Sequence, residues 1–141
     1  TDNAGGYLMQ QGMVDMVIVG TDRVCKNGDV ANKIGTYLKA LAAFEHKIPF
    51  YVALPSSSID WSLEEGIQSV PIEKRANSEI LSYDGMVDGK HITMNLMDAK
   101  TPAFNPGFDI TPAKLITAFI TEKGYCKASE NELRKLFPVQ I

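Results

Sequence analysis

An open α/β fold, a Rossmann-like parallel sheet flanked by helices, is predicted by three observations. Residues 14–19 (VDMVIV) and 50–54 (FYVAL) are short, nearly continuous apolar runs, as in parallel strands covered on both faces. Between them, Ile34, Tyr37, Leu38, Leu41 and Phe44 recur at helical spacing. Strand, helix and strand joined by short connections make a βαβ unit, which requires a parallel sheet.

The elements follow in order. Asp2 or Asn3 caps a short helix running to about Gln11, and Gly12 suits its C-terminal exit. Residues 14–19 form the first strand, and Gly20 allows a tight exit. Asp29 is a good N-cap for a helix that runs to about Lys47, so Asn32 and Lys33 fall in its first turn. Lys47-Ile48-Pro49 ends it. After the second strand come Ser56, Ser57 and Ser58, whose hydroxyls either bind a ligand or cap the turn beginning at Asp60.

Trp61, Leu63 and Gly66 mark a short turn. Residues 67–72 read as a third strand, with Pro71 favouring an edge. Residues 77–103 read as an irregular surface excursion with turn signals at Asp84-Gly85 and Asp88-Gly89 and a short strand over 90–94. Residues 105–109 (NPGFD) form a rigid loop. Thr111 then caps a helix with Pro112 in its first turn, Leu115, Ile116, Phe119 and Ile120 on one face, and Gly124 as its stop. Ser129 caps a last helix in a capping-box pattern with Glu132, and Leu133, Leu136 and Phe137 dock it.

The stretch 14–33 (VDMVIVGTDRVCKNGDVANK) organises the chain. Its polar loop holds Asp22, Arg23, Lys26 and Gly28 at the carboxyl end of a strand, where ligands bind in open α/β sheets. Asp22 is a candidate acid/base. Asn32 and Lys33, beside a helix N-terminus, are a candidate anion clamp. The same loop reads equally as an ordinary connection with solvated charges.

The remaining chemistry-bearing residues are sparse. Cys25 and Cys126 are far apart and form no CxxC pair, which fits free thiols in a reducing compartment. His46 and His91 lack metal-ligand spacing and read as structural or surface residues. The 141 residues make one ordinary domain's worth of chain, with 45% hydrophobic and 22% charged residues, a soluble globular composition. A net charge of −3 gives no basic field for nucleic acid. No apolar run approaches the roughly 20 residues that span a bilayer, and no secretory signal is visible. The chain starts at Thr1 with a helix-like segment and no leading strand, which points to a fragment, a processed chain or a proteolysed sample.

Taken together, GTDRVCKNGDVANKIGTY, HKIPFYVALPSSSID, VPIEKR and FNPGFDITP closely resemble the methylthioribose-1-phosphate isomerases of methionine salvage. These belong to the larger family that includes the regulatory subunits of initiation factor 2B and the ribose-1,5-bisphosphate isomerases. The family pattern is close to GADR-x-x-x-NGD-x-x-NK-x-GTY; Thr21 replaces its alanine and Cys25 falls at a variable position. The resemblance covers nearly the whole chain but only the C-terminal half of the family's architecture.

The resemblance implies that residues 1–141 are a Rossmann-like C-terminal catalytic domain, preceded in the family by a largely helical N-terminal domain and assembled as a cytoplasmic homodimer. The implied reaction converts 5-methylthioribose 1-phosphate to 5-methylthioribulose 1-phosphate, with a small phosphosugar substrate, no metal and no redox cofactor. By motif, Asp22 matches the family's proton donor, and Asn32 and Lys33 match its substrate-binding pair. The family's upstream cysteine, arginines and glutamine have no counterpart here, and neither Cys25 nor Cys126 matches that cysteine. An aspartate that donates a proton near neutral pH needs a raised pKa, which desolvation under a covering domain would supply. A non-catalytic regulatory role, or a sister isomerase acting on ribose 1,5-bisphosphate or 5-deoxyribose 1-phosphate, shares most of the pattern.

Overall fold

The computed structural model describes residues 1–98 and 100–138. The chain divides into a larger unit, Thr1–Pro71 with Phe108–Ile141, and a smaller one, Ile72–Gly107. In chain order the elements are α1 (Ala4–Gln10), β1 (Val17–Val19), β2 (Arg23–Cys25), β3 (Val30–Lys33), α2 (Thr36–Glu45), β4 (Phe50–Ala53), a 3-10 turn (Ser56–Ser58), β5 (Ile59–Asp60) and α3 (Gly66–Ser69). The smaller unit holds α4 (Ser78–Leu81), β6 (Ser82–Val87) and β7 (Lys90–Asn95). The chain then continues with β8 (Phe108–Thr111), a 3-10 turn (Ala113–Leu115), β9 (Ala118–Thr121), β10 (Gly124–Cys126) and α5 (Glu130–Leu136).

The predicted α/β class holds. In the first sheet β1, β4 and β9 run parallel, and β10 closes one edge antiparallel. The βαβ unit is real: β1 and β4 are adjacent, with Val17, Ile18 and Val19 opposite Phe50, Tyr51 and Val52. A second sheet, ordered β5-β2-β3-β8, was not foreseen; three of its four strands pair antiparallel.

Side-chain alternation splits the first sheet into two unlike faces. Phe50, Val52 and Phe119 point into the core and are essentially inaccessible, joined there by Val24, Val30 and Leu133. The opposite face carries Ile18, Ile120 and Tyr125, all exposed, Tyr125 at 81%. The expectation that residues 14–19 form a central strand covered on both faces is therefore corrected. β1 is a sheet edge, and among the described residues nothing packs over Ile18.

Helix α2 departs from its prediction in two ways. It begins at Thr36, not at Asp29, because the residues between form the β2–β3 hairpin. Its buried stripe is Thr36, Ala40 and Ala43, which lets the helix approach β4 and β8 closely, while Leu38 and Phe44 remain above 60% exposed. Small residues, not the large apolar ones, meet the sheet.

Three further expectations change. Residues 67–72 contain the helical turn α3, not a strand. The helix expected after Thr111 is instead a 3-10 turn followed by the β9–β10 hairpin, whose β-branched and aromatic side chains pair with β4. Residues 77–103 are more ordered than foreseen: β6 and β7, six residues each, form a hairpin turned by Asp88 and Gly89, both at positive φ. The expected strand over 90–94 lies within β7, but Asp84-Gly85 lies inside β6 and is not a turn. At the C-terminus the prediction is met, since the Ser129 hydroxyl accepts the Glu132 amide at the start of α5. Gly12 follows α1 at φ +66, the left-handed exit expected of it, while Asn3 caps α1 without a side-chain bond.

Candidate active site

The candidate residues gather on the β2–β3 hairpin. Asp22 lies where the chain leaves β1 and enters β2, its amide donating to the Ala31 carbonyl at 3.1 Å. Arg23 pairs with Ala31 in the hairpin, so Asp22, bonded to the same Ala31, lies beside the residue that precedes Asn32. The loop motif and the Asn-Lys motif are thus brought together across two adjacent strands. Thr21 holds this corner: its Oγ1 lies 3.0 Å from both the Arg23 and Ala31 carbonyls and accepts the Arg23 amide at 3.2 Å.

Asp22 is exposed, and among the described residues its carboxylate makes no hydrogen bond or ion pair. It lines a cavity of about 150 Å³ with Arg23, Ala31, Val70, Pro71 and Phe108. Lys33 sits on the same aromatic ring, its Nζ 4.9 Å from the Phe108 centroid. Phe108 therefore meets both the cavity that Asp22 lines and the candidate cation. The other two loop bases are engaged elsewhere, Arg23 with Asp60 at 3.3 Å and Lys26 with Glu64. Asp60 is held below the usual carboxylate range by the Ser62 hydroxyl and amide, and further by Arg23.

Asn32 and Lys33 are not in the first turn of a helix, as the sequence suggested, but on β3. The N-terminus of α2 is also not open to an anion. Asp109, from β8, fills it: its carboxylate accepts the Gly35 amide at 2.7 Å and the Tyr37 amide at 3.1 Å. The turn between β3 and α2 passes through Gly35 at φ +99, a left-handed conformation that glycine adopts without strain. Thr36, nearly inaccessible, donates its hydroxyl to the Lys33 carbonyl at 2.7 Å and accepts the Asn32 side-chain amide at 3.1 Å.

Asp29, predicted as a helix cap, has another function in the fold. One carboxylate oxygen accepts the Asn27 side chain at 2.9 Å and the Gly66 amide at 3.0 Å, and the other accepts the Ala113 amide at 2.9 Å. The Asn-Gly-Asp motif is thus a tie between the hairpin turn, α3 and the segment after β8. Gly28 completes it at φ +96, where a Cβ would lie 2.7 Å from the Ala128 carbonyl carbon.

Ser56, Ser57 and Ser58 form their own 3-10 turn at the carboxyl end of β4, and the Ser56 amide donates to Glu122 beyond the neighbouring β9. That contact with Ser56 keeps Glu122 below its ordinary pKa. Both cysteines are buried thiols. Burial raises Cys25 to about 11, helped by the Asp29 and Asp60 carboxylates and opposed by Arg23; burial and Glu132 raise Cys126. Neither suits a nucleophile near neutral pH. Among the described residues no three His, Cys, Asp or Glu side chains cluster as metal ligands. Sequence reasoning missed Asp109 and Thr36. Their signals were the aspartate of FNPGFDITP and the threonine of NKIGTY, both inside recognised motifs.

Similarity to known proteins extends along nearly the whole chain. The chain is 57% identical to a methylthioribose-1-phosphate isomerase of Desulfatibacillum aliphaticivorans over 138 residues, 98% of this chain and 37% of that protein. The crystal structure of 5-methylthioribose 1-phosphate isomerase from Pyrococcus horikoshii OT3 superposes with a TM-score of 0.82 at 45% identity, covering 99% of this chain and 36% of that one. The crystal structure of translation initiation factor eIF-2B, subunit delta, from A. fulgidus superposes with a TM-score of 0.81 at 38% identity, covering 96% and 37%. The chain thus spans well under half the length of the relatives it matches. The model of the initiation factor 2 subunit family matches residues 1–128, and the chain belongs to that family.

Proposed function

We propose that this chain is the C-terminal catalytic portion of an aldose–ketose isomerase that converts 5-methylthioribose 1-phosphate to 5-methylthioribulose 1-phosphate. The observation that carries the reading is that the two motif groups, Asp22 and Asn32-Lys33, meet on one hairpin in a chain 57% identical to a protein named for this activity. The substrate's anomeric oxygen carries phosphate, so its ring does not open spontaneously as a free sugar does. Asp22 acts as the proton donor that helps open the ring while the phosphate stays attached. Hydrogen then moves from C2 to C1; C2 is oxidised as C1 is reduced, and no outside oxidant is consumed. Asn32 and Lys33 hold the phosphosugar, with Phe108 supporting the lysine. Asp109 already fills the α2 N-terminus, so the phosphate is held by side chains and not by that helix.

Asp22 is exposed in this chain, and a donor needs a drier setting. The remainder of the protein supplies it by closing over the hairpin, bringing the family's cysteine, arginines and glutamine. The apolar face of Ile18, Ile120 and Tyr125 supports such a covering layer. The whole protein is a cytoplasmic homodimer, a setting with which two buried free thiols agree. Among the described residues no helix is long and apolar enough to cross a membrane.

The likeness to an initiation factor subunit favours a second reading, a non-catalytic regulatory subunit. One assay separates them. The full-length protein is given methylthioribose 1-phosphate, ribose 1,5-bisphosphate and 5-deoxyribose 1-phosphate, and ketose formation is followed by NMR. Ketose from the methylthio substrate at the highest kcat/KM is expected. Preference for another sugar moves the assignment to a sister isomerase, and no product from any moves it to the regulatory role.

A further inference from the structure

We propose that Thr36 is a positioning residue that fixes which way round the Asn32 amide faces the substrate. The inference rests on the reading of Asn32 as a substrate-binding residue. An asparagine amide turned by half a revolution exchanges its oxygen and nitrogen with almost no change of shape, so packing alone does not choose between the two. The neighbour's hydrogen-bond polarity does. Thr36 Oγ1 lies 2.7 Å from the Lys33 carbonyl, which has lone pairs only, so the single hydroxyl proton is committed there. What remains on Oγ1 is acceptor capacity. The Asn32 group facing it at 3.1 Å must then be the NH2 and not the oxygen.

The Thr36 end of this chain of bonds is rigid. Thr36 is only 5% exposed and is the first residue of α2. Asp109 clamps the amides on either side of it, those of Gly35 and Tyr37. Asn32 itself lies opposite Asp109 in the β3–β8 ladder, so its backbone is set by the same strand. Asn32 Oδ1, with no hydrogen-bond partner among the described residues, is consequently presented as an acceptor. The ligand group that matches Oδ1 is a donor such as a sugar hydroxyl, and the second N–H of the amide stays available to donate. Lys33, on the following residue of the strand, is left to meet the anion. The Asn-Lys pair thus offers a phosphosugar an acceptor of fixed orientation beside a cation.

The test is a double-mutant cycle in the full-length protein, read as KM and kcat for methylthioribose 1-phosphate. Thr36→Val keeps the shape and removes the hydroxyl. It is expected to raise KM about tenfold, with kcat changing less, the size of one hydrogen bond to substrate. Thr36→Ser returns KM to within about twofold of the parent. In an Asn32→Ala background, Thr36→Val adds nothing further, because the amide it orients is gone. If Thr36→Val raises KM by the same factor in both backgrounds, its effect is general to the fold and the proposal is overturned. If Asn32→Ala raises KM while Thr36→Val does not, the proposal fails and the reading of Asn32 stands. If Asn32→Ala leaves KM unchanged, both fail. Asn32→Asp gives a check that leaves the buried threonine intact. It keeps the shape but cannot donate to Oγ1, so binding within twofold of the parent also overturns the proposal.

Discussion

Asp22 and Asp29 stand just before the two strands of one hairpin, β2 and β3, and differ in almost everything but their side chain. Asp29 is half-buried, and its carboxylate receives three donors from three separate segments. Asp22 is exposed and receives none among the described residues. A carboxylate with all its partners is committed to holding backbone in place. One with no partner is free to exchange a proton with something else. The two halves of one family motif therefore do different work, the first left open to a ligand and the second tying the fold.

Breaking this contrast starts with the exchange of roles. Asp22→Asn in the full-length protein should lower kcat by about a thousandfold or more while the melting temperature stays within about 2 °C. Asp29→Ala should do the reverse. It leaves the Gly66 and Ala113 amides without their acceptor, costs about 3 kcal/mol and, in a protein of the relatives' length, lowers the melting temperature by about 4 °C. Circular dichroism melts beside steady-state kinetics check both; a melting loss in Asp22→Asn as large as that in Asp29→Ala would erase the distinction. Gly28→Ala is next in size, at about 2 kcal/mol, because its Cβ would strike Ala128 and its φ of +96 is unfavourable for alanine. An unchanged melt would mean that the turn shifts freely.

Cys25, between the two aspartates, gives the smallest and most selective reading. Burial and Asp29 both favour its neutral thiol, so its pKa is about 11 when folded against 9.0 when unfolded. A folded pKa above the unfolded one means that this contribution to stability is complete below about pH 9 and is lost as pH rises toward about 11. Denaturant titrations at pH 8, 9.5 and 10.5 should show stability falling over that window, less steeply in Cys25→Ala. Equal pH dependence in both proteins would contradict the assignment.

Much of the fold was legible because its signals were local. Residues 50–54 are a strand in any register, and Ser129 with Glu132 is a self-contained cap. The hairpin β2–β3 was also signalled, by Asn27-Gly28 between Val24 and Val30, a dipeptide that suits tight turns. Its strands are too short to outweigh a continuous loop reading. Leu115, Ile116, Phe119 and Ile120 fit a helix face as well as two short strands, and only pairing with β4 decides between them. Asp22, Asn32 and Lys33 could be named from the motif, but not the strand register that brings them together. Asp109 and Thr36 were hidden for the same reason, since their meaning lies in partners far along the chain or across a turn.

The Asp109 cap also orders events in time. Helix α2 receives its N-terminal acceptor from a residue more than seventy positions downstream. At a synthesis rate of about 5–20 residues per second, the helix waits several seconds on the ribosome before that carboxylate exists. Asp29 waits longer still for the Ala113 amide. During that interval the strands β1 and β4 are already made, but the turn that carries Asn32 and Lys33 lacks its lock. The geometry of the site is therefore among the last features of this chain to be set during its synthesis.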